Sequence, residues 1–245
     1  MRIISRLDIK QSFLIKSVMF DGVRKVGDPF EYANNYYKSL IDELMLVNNT
    51  GSLYGTQLDP NIVKKIRDDK AIPLSAWGGI ACLEDAKKLI SSGADKVVIN
   101  TLIHKNPNEV SKIVNLLGSS SVIGVIEIEK ESNNKLMSVY EMSRQSSGLD
   151  LDQAIKKYLD LGIGEIVLTD VSRDGCYKGL NLDLIEVVSK HEHEAPFLIS
   201  GGFVEKEEIN KFINLFSGVV ISSVFHFGKL DVKSLMKYRK KFDAI

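Results

Sequence analysis

At 245 residues, with 44% hydrophobic and 26% charged residues, the chain has the composition of an ordinary globular protein, and no apolar run reaches the roughly 18 residues that a membrane helix needs. Lysine plus arginine number 32 and aspartate plus glutamate 32, so no global field draws in a nucleic acid or an acidic membrane, and any anion site must be local. Two cysteines, Cys82 and Cys176, are too few for a disulfide framework or a four-ligand zinc site, and residues 1–8 lack a signal-peptide core, so a cytoplasmic protein with no metal and no cofactor is expected.

Taken in chain order, short β-branched runs predict strands at residues 3–9, 43–48, 72–77, 96–100, 121–127, 165–169, 196–200 and 218–222. Amphipathic stretches predict helices at 30–40, 60–69, 83–91, 107–117, 151–161, 182–189, 205–215 and 232–241. Such alternation means parallel strands joined by helical crossovers, and eight units close a single α/β domain over residues 1–245, a (β/α)8 TIM barrel. An internal repeat favours closure over an open sheet. Ile41-Asp42-Glu43-Leu44-Met45-Leu46 aligns with Ile163-Gly164-Glu165-Ile166-Val167-Leu168, Gly78-Gly79 with Gly201-Gly202, and Val97-Val98-Ile99 with Val219-Val220-Ile221, at offsets of 122 to 123 residues. The barrel is therefore two similar half-barrels, and what one half binds the other is expected to bind.

In such barrels the chemistry sits where the strands end, because the loops there vary without disturbing the packed core. The third and seventh strands exit into Gly78-Gly79 and Ser200-Gly201-Gly202, whose missing Cβ atoms let backbone N–H groups approach an anion. The strands that follow exit into Asn100-Thr101 and Ser222-Ser223, small polar residues beside helix N-termini. Two such sites in register predict a substrate with two phosphates lying across the mouth. Asp8 ends the first strand and Glu127 the fifth, and two carboxylates in different surroundings can divide acid and base duties. Lys16, on the loop after the first strand, is a candidate phosphate ligand. Residues 135–142 alternate enough for a small hairpin, and His191-Glu192-His193-Glu194 reads as a solvated connection rather than a metal site.

Leu7-Asp8-Ile9-Lys10, Gly27-Asp28-Pro29, Gly78-Gly79-Ile80, the run from Gly93-Ala94-Asp95 to Asn100-Thr101, Arg173-Asp174-Gly175, Ser200-Gly201-Gly202 and Ser223-Val224-Phe225-His226-Phe227 occur in an order that resembles the cyclase subunit (HisF) family of imidazole glycerol phosphate synthase. The resemblance covers nearly the whole chain. It implies a lyase and ring-closing enzyme that takes ammonia from a glutaminase subunit. The ammonia joins a phosphoribulosyl aminoimidazole carboxamide ribotide, a bisphosphorylated substrate, to give imidazole glycerol phosphate. It also implies that Asp8 is a principal acid/base, with Glu127 where the family has aspartate, and that Lys16, Asn48, Thr169 and Asp174 contact substrate. Arg2, Glu43, Lys96 and Glu165 match the ring of charges through which ammonia enters at the N-terminal face, where the glutaminase is expected to dock with Asp95 at the contact. Asn48 stands where the family has an acid, Ser172 replaces an aspartate, and Trp77 replaces a small residue. These departures leave two further readings open. Lys16-Ser17-Val18-Met19-Phe20 resembles a branch that delivers ammonia for acetamidino-sugar formation in surface polysaccharides, and a docking and ammonia-channel module without catalysis is the other.

Overall fold

Each β-branched run is separated from the next by a helix that must cross back over the sheet, which forces neighbouring strands to run parallel. The computed structural model describes residues 1–68 and 70–242 and contains eight such strands. They are β1 (Arg2–Lys10), β2 (Glu43–Val47), β3 (Leu74–Trp77), β4 (Lys96–Ile99), β5 (Val122–Lys130), β6 (Glu165–Asp170), β7 (Phe197–Ser200) and β8 (Gly218–Ile221). Strand β1 pairs with both β2 and β8, and β5 pairs with β6 with Val125 beside Val167, so the parallel ring is closed. The expected boundaries agree to within two residues except at the end of β5, which runs on to Lys130.

The outer helices begin where polar caps precede proline. Asp28, Asp59 and Asn106 accept backbone N–H bonds at the starts of Pro29–Lys38, Pro60–Arg67 and Pro107–Leu117, with proline at the first position, where its missing N–H costs nothing. The expected end of the second helix, Asp69, lies outside the described residues, as do residues 243–245 of the expected domain. The helix expected at 205–215 is instead a 3-10 turn (Lys206–Glu208) followed by Ile209–Phe212. The Glu208 carboxylate accepts the N–H groups of Val204, Glu205 and Leu180, which tightens the first turn. No helix among the described residues is long and apolar enough to cross a membrane.

Alternation along the strands builds the lumen in layers. On β1, Ile3, Leu7 and Ile9 pack outward into the large core shared with the helices, while Ile4 faces inward. Arg2, Arg6 and Asp8 share that inward parity. Glu43, Lys96 and Glu165 join Arg2 at the bottom, and above them Ile4, Met45, Val98, Ile123, Val125, Val167, Leu198 and Val220 form an apolar plug. The polar residues at the strand ends form the mouth.

Two hairpins extend the mouth, one from each half. After β1, Phe13–Val18 and Asp21–Gly27 pair antiparallel, and after β5, Leu136–Tyr140 and Gln145–Asp150 do the same. The second was expected in part at 135–142; the first was not expected. Val18 pairs with Asp21, which leaves Met19-Phe20 as a two-residue turn with φ of 51° and 61°. That geometry normally calls for Asn-Gly, so the usual signal was absent. The two hairpins meet through Phe20, Val139 and Met142, with Val171 beside them.

Candidate active site

Asp8 is fully buried, and so is Arg6, two residues before it on the same face of β1. The guanidinium pairs with Asp8, Nη2 donating to Oδ2 at 3.1 Å and to Asp174 Oδ2 at 2.7 Å, while Nε lies 3.0 Å from Asp8 Oδ1 without a hydrogen bond, so Oδ1 is buried with no hydrogen-bond partner. Lys16, on the first hairpin, completes the cluster at 2.7 Å from Asp174 Oδ1 and 3.4 Å from Asp8 Oδ2. Two cations and two carboxylates thus neutralise one another inside the mouth. Burial opposes the charge on Arg6, but Asp174 and Asp8 outweigh it and hold the guanidinium pKa above its ordinary value. Burial likewise pushes Asp174 up, and Arg6 and Lys16 reverse this, holding it at about 2.

Glu127 is in different surroundings. It is buried at the inner wall of β5, and its Oε2 accepts the Ser143 N–H at 2.8 Å. Glu141, Met142 and Ser143 all adopt left-handed backbone, at φ of 60°, 58° and 62°, a strained run that turns N–H groups toward the carboxylate. Desolvation nevertheless dominates and raises Glu127 to about 8, against the Ser143 and Met142 N–H groups and Arg6. Glu127 therefore holds its proton to higher pH than an ordinary glutamate does. Thr169 lies beside Glu127 in the strand register and is also fully buried, with no hydrogen-bond partner for its hydroxyl.

The glycine loops are alike in backbone and unlike in space. A Cβ on Gly78 would fall 2.3 Å from the Asn48 carbonyl oxygen, and one on its repeat mate Gly201 would fall 2.5 Å from that of Asp170, so both glycines are required by close backbone packing as well as by positive φ. Gly78, Gly79, Asn48, Asn100, Thr101 and Glu127 border a cavity of about 370 Å³ with apolar walls from Phe20, Trp77 and Met142. Ser200, Gly201, Gly202, Ser222 and Ser223 border one of only about 20 Å³. The Asn100 side chain is partly committed, donating to the Val125 carbonyl at 2.9 Å, and Asn48 donates to the Thr56 carbonyl at 3.0 Å. The Ser223 hydroxyl is buried without a partner.

At the opposite end Arg2 bridges Glu43, at 2.8 Å, and Glu165, which also takes Lys96 at 3.0 Å. Glu43 accepts from Ser75 at 3.1 Å, and burial raises it above its usual range, against the pull of Lys96 and Arg2. Asp95 pairs with Arg67 and accepts the Leu74 N–H at 2.8 Å. His191 is buried rather than solvated, held by Asp152 at 3.0 Å and Glu194 at 3.3 Å. Among the described residues no group of three histidine, cysteine, aspartate or glutamate side chains could hold a metal ion. Sequence reasoning missed Arg6, Phe20 and Met142. An arginine at an inward β1 position two residues before Asp8 was the available signal for the first.

Residues 2–231 match the family model described as "Histidine biosynthesis protein". Imidazole glycerol phosphate synthase subunit HisF of Legionella pneumophila is 39% identical over 209 residues, covering 85% of this chain and 98% of that protein. The subunits of the same name from Pyrococcus furiosus and Petrotoga mobilis are each 32% identical, cover 98% of this chain, and are themselves covered to 95% and 96%.

Proposed function

Because the chain belongs to the histidine biosynthesis protein family, we propose that it is the cyclase-type subunit of an imidazole glycerol phosphate synthase, using ammonia to convert a phosphoribulosyl aminoimidazole carboxamide ribotide to imidazole glycerol phosphate. The observation that carries this reading is that the match runs through both barrel ends, from Arg2 at the bottom to the serine exit after β8 at the mouth. The relatives' shared name favours it over delivery of ammonia to a surface-sugar enzyme and over a purely docking role.

The route follows from the layers. A glutaminase docked on the N-terminal face would release ammonia at Arg2, Glu43, Lys96 and Glu165, whose charges pair with one another. The apolar plug above favours neutral ammonia over ammonium, whose desolvation is far costlier. At the mouth, one phosphate of the substrate meets Gly79 and Thr101 and the other meets Gly202 and Ser223, which sets the ribulosyl ketone between Asp8 and Glu127. The narrower second site must widen to accept its phosphate.

The test is turnover of the bisphosphorylated substrate by the isolated chain with an ammonium salt, and again with glutamine and a glutaminase subunit. Product in both supports the reading. No product in either sinks it.

A further inference from the structure

We propose that Trp77 is the exit seal of the barrel, the side chain that keeps the water of the mouth off the apolar plug and past which neutral ammonia leaves it. That ammonia travels this way rests on the function proposed above; the seal itself rests on where the indole sits.

The plug and the mouth cavity meet at this side chain. Trp77 ends β3 at an inward position, two residues after Ser75, which reaches Glu43 of the bottom ring at 3.1 Å. In the strand register it lies between Val47 on β2 and Val98 on β4, and its side chain packs on the plug. The same side chain borders the cavity of about 370 Å³ at the mouth. Among the described residues, Trp77 and Val98 alone belong both to the plug and to the cavity wall, and the indole is much the larger of the two. Met45 and Val47 belong to the plug only.

The two half-barrels separate this position from the anion sites. At the offset of the internal repeat Trp77 corresponds to Ser200, and both precede a glycine pair. Ser200 borders the second, tight cavity. A serine can donate to a phosphate oxygen and leaves room beside it, whereas an indole covers apolar surface and fills that room. The half that carries the wide cavity therefore carries the wide apolar side chain at the cavity floor.

The chemistry needs such a cover. An ammonium-type group has a pKa of roughly 9–10 in water, so ammonia that meets bulk water at neutral pH is protonated and loses the lone pair with which it attacks carbon. The plug is built of Ile, Leu, Met and Val side chains, which have no proton to give. Water entering it would supply one. A ring that borders open space on one side can tilt toward that space, pass a molecule the size of ammonia, and settle back on the plug.

The experiment reads the seal first without substrate. In the isolated chain with labelled Met and Val methyl groups, NMR magnetisation transfer from water should not reach Met45 or Val47 in wild type and should reach both in Trp77→Ala, whose plug lies open to the mouth. Trp77→Phe keeps an aromatic cover and should stay dry. Turnover is then compared with glutamine plus a glutaminase subunit and with an ammonium salt. A weaker hold on substrate lowers both rates alike and cancels in their ratio. Loss of the seal should lower the glutamine-to-ammonium ratio of Trp77→Ala by roughly threefold or more, with glutamine hydrolysed in excess of product, and Trp77→Phe should restore it. Water that reaches Met45 and Val47 in wild type overturns the proposal, even where Trp77→Ala does not fold. So does a plug that stays dry in folded Trp77→Ala, or a ratio that holds while both rates fall together, which makes the indole a wall for substrate alone. A plug dry in wild type and wet in Trp77→Ala, in a chain that yields product with neither nitrogen source, supports the seal and sinks only the proposed reaction.

Discussion

The two ends of the barrel carry the same four charges in different solvents. At the bottom, Arg2, Lys96, Glu43 and Glu165 pair in a ring whose cations are partly open, with side-chain exposures of 32% for Arg2 and 23% for Lys96. At the mouth, Arg6, Lys16, Asp8 and Asp174 pair in a cluster whose cations are each 2% exposed. Charge count therefore does not decide role. In the bottom ring only the cations are partly solvated, while Glu43 and Glu165 are buried, so each pair is weakened by water on one side alone. In a sealed cluster the ions cannot separate without leaving an uncompensated charge in low dielectric, so breaking it is costly.

The sharpest way to break this comparison is to remove one cation from each end. Arg6→Met leaves Asp8 and Asp174 sharing only Lys16 and should cost about 3–5 kcal/mol, a fall in Tm of roughly 6–20 °C by calorimetry. Arg2→Met should cost less, roughly 1–3 kcal/mol, because Arg2 is itself partly solvated, Glu43 keeps Ser75 and Glu165 keeps Lys96. Equal losses would refute the contrast.

Next in size is Glu127→Gln. The folded value of Glu127, about 8, lies above that of the unfolded chain, so the native state holds its proton longer and stability is lost as pH rises from about 4 through about 8. The neutral amide escapes that loss. The variant should gain up to about 5 kcal/mol over wild type above pH 8 and nothing below about pH 4, measured by urea denaturation across that range.

Asp174 gives the opposite sign and a smaller effect. Its folded value of about 2 is depressed, so its contribution is present above about pH 4 and should fade by about 2 kcal/mol as pH drops through 2. Asp174→Asn should flatten that limb of the acid denaturation profile.

The smallest stability change, under about 1 kcal/mol, is expected of Lys96→Met. Its effect should appear in coupling: glutamine-driven turnover falls while ammonium-driven turnover per folded molecule holds. If both fall together with Tm, the bottom ring is structural only.

Much of this was legible in the chain. β-branched runs of period two, Asp-Pro and Asn-Pro caps and the half-length repeat determined eight strands, their helices and the residues that end each strand, because those signals act over a few residues or recur at a fixed offset. The four bottom charges were legible through the resemblance to the cyclase family, whose ring of charges they match, and not through any local pattern. Tertiary structure alone decided what the mouth residues do. Lys16 meets Asp174, 158 residues away, and Arg6 ties Asp8 to the same Asp174 across 168 residues, contacts that no spacing along the chain announces. The inequality of the two phosphate cavities arose likewise from the surrounding loops, though the glycine pairs match. Burial and pairing depend on which distant loops close over a side chain, and desolvation, which sets Glu127 apart from Asp8, has no period along a sequence.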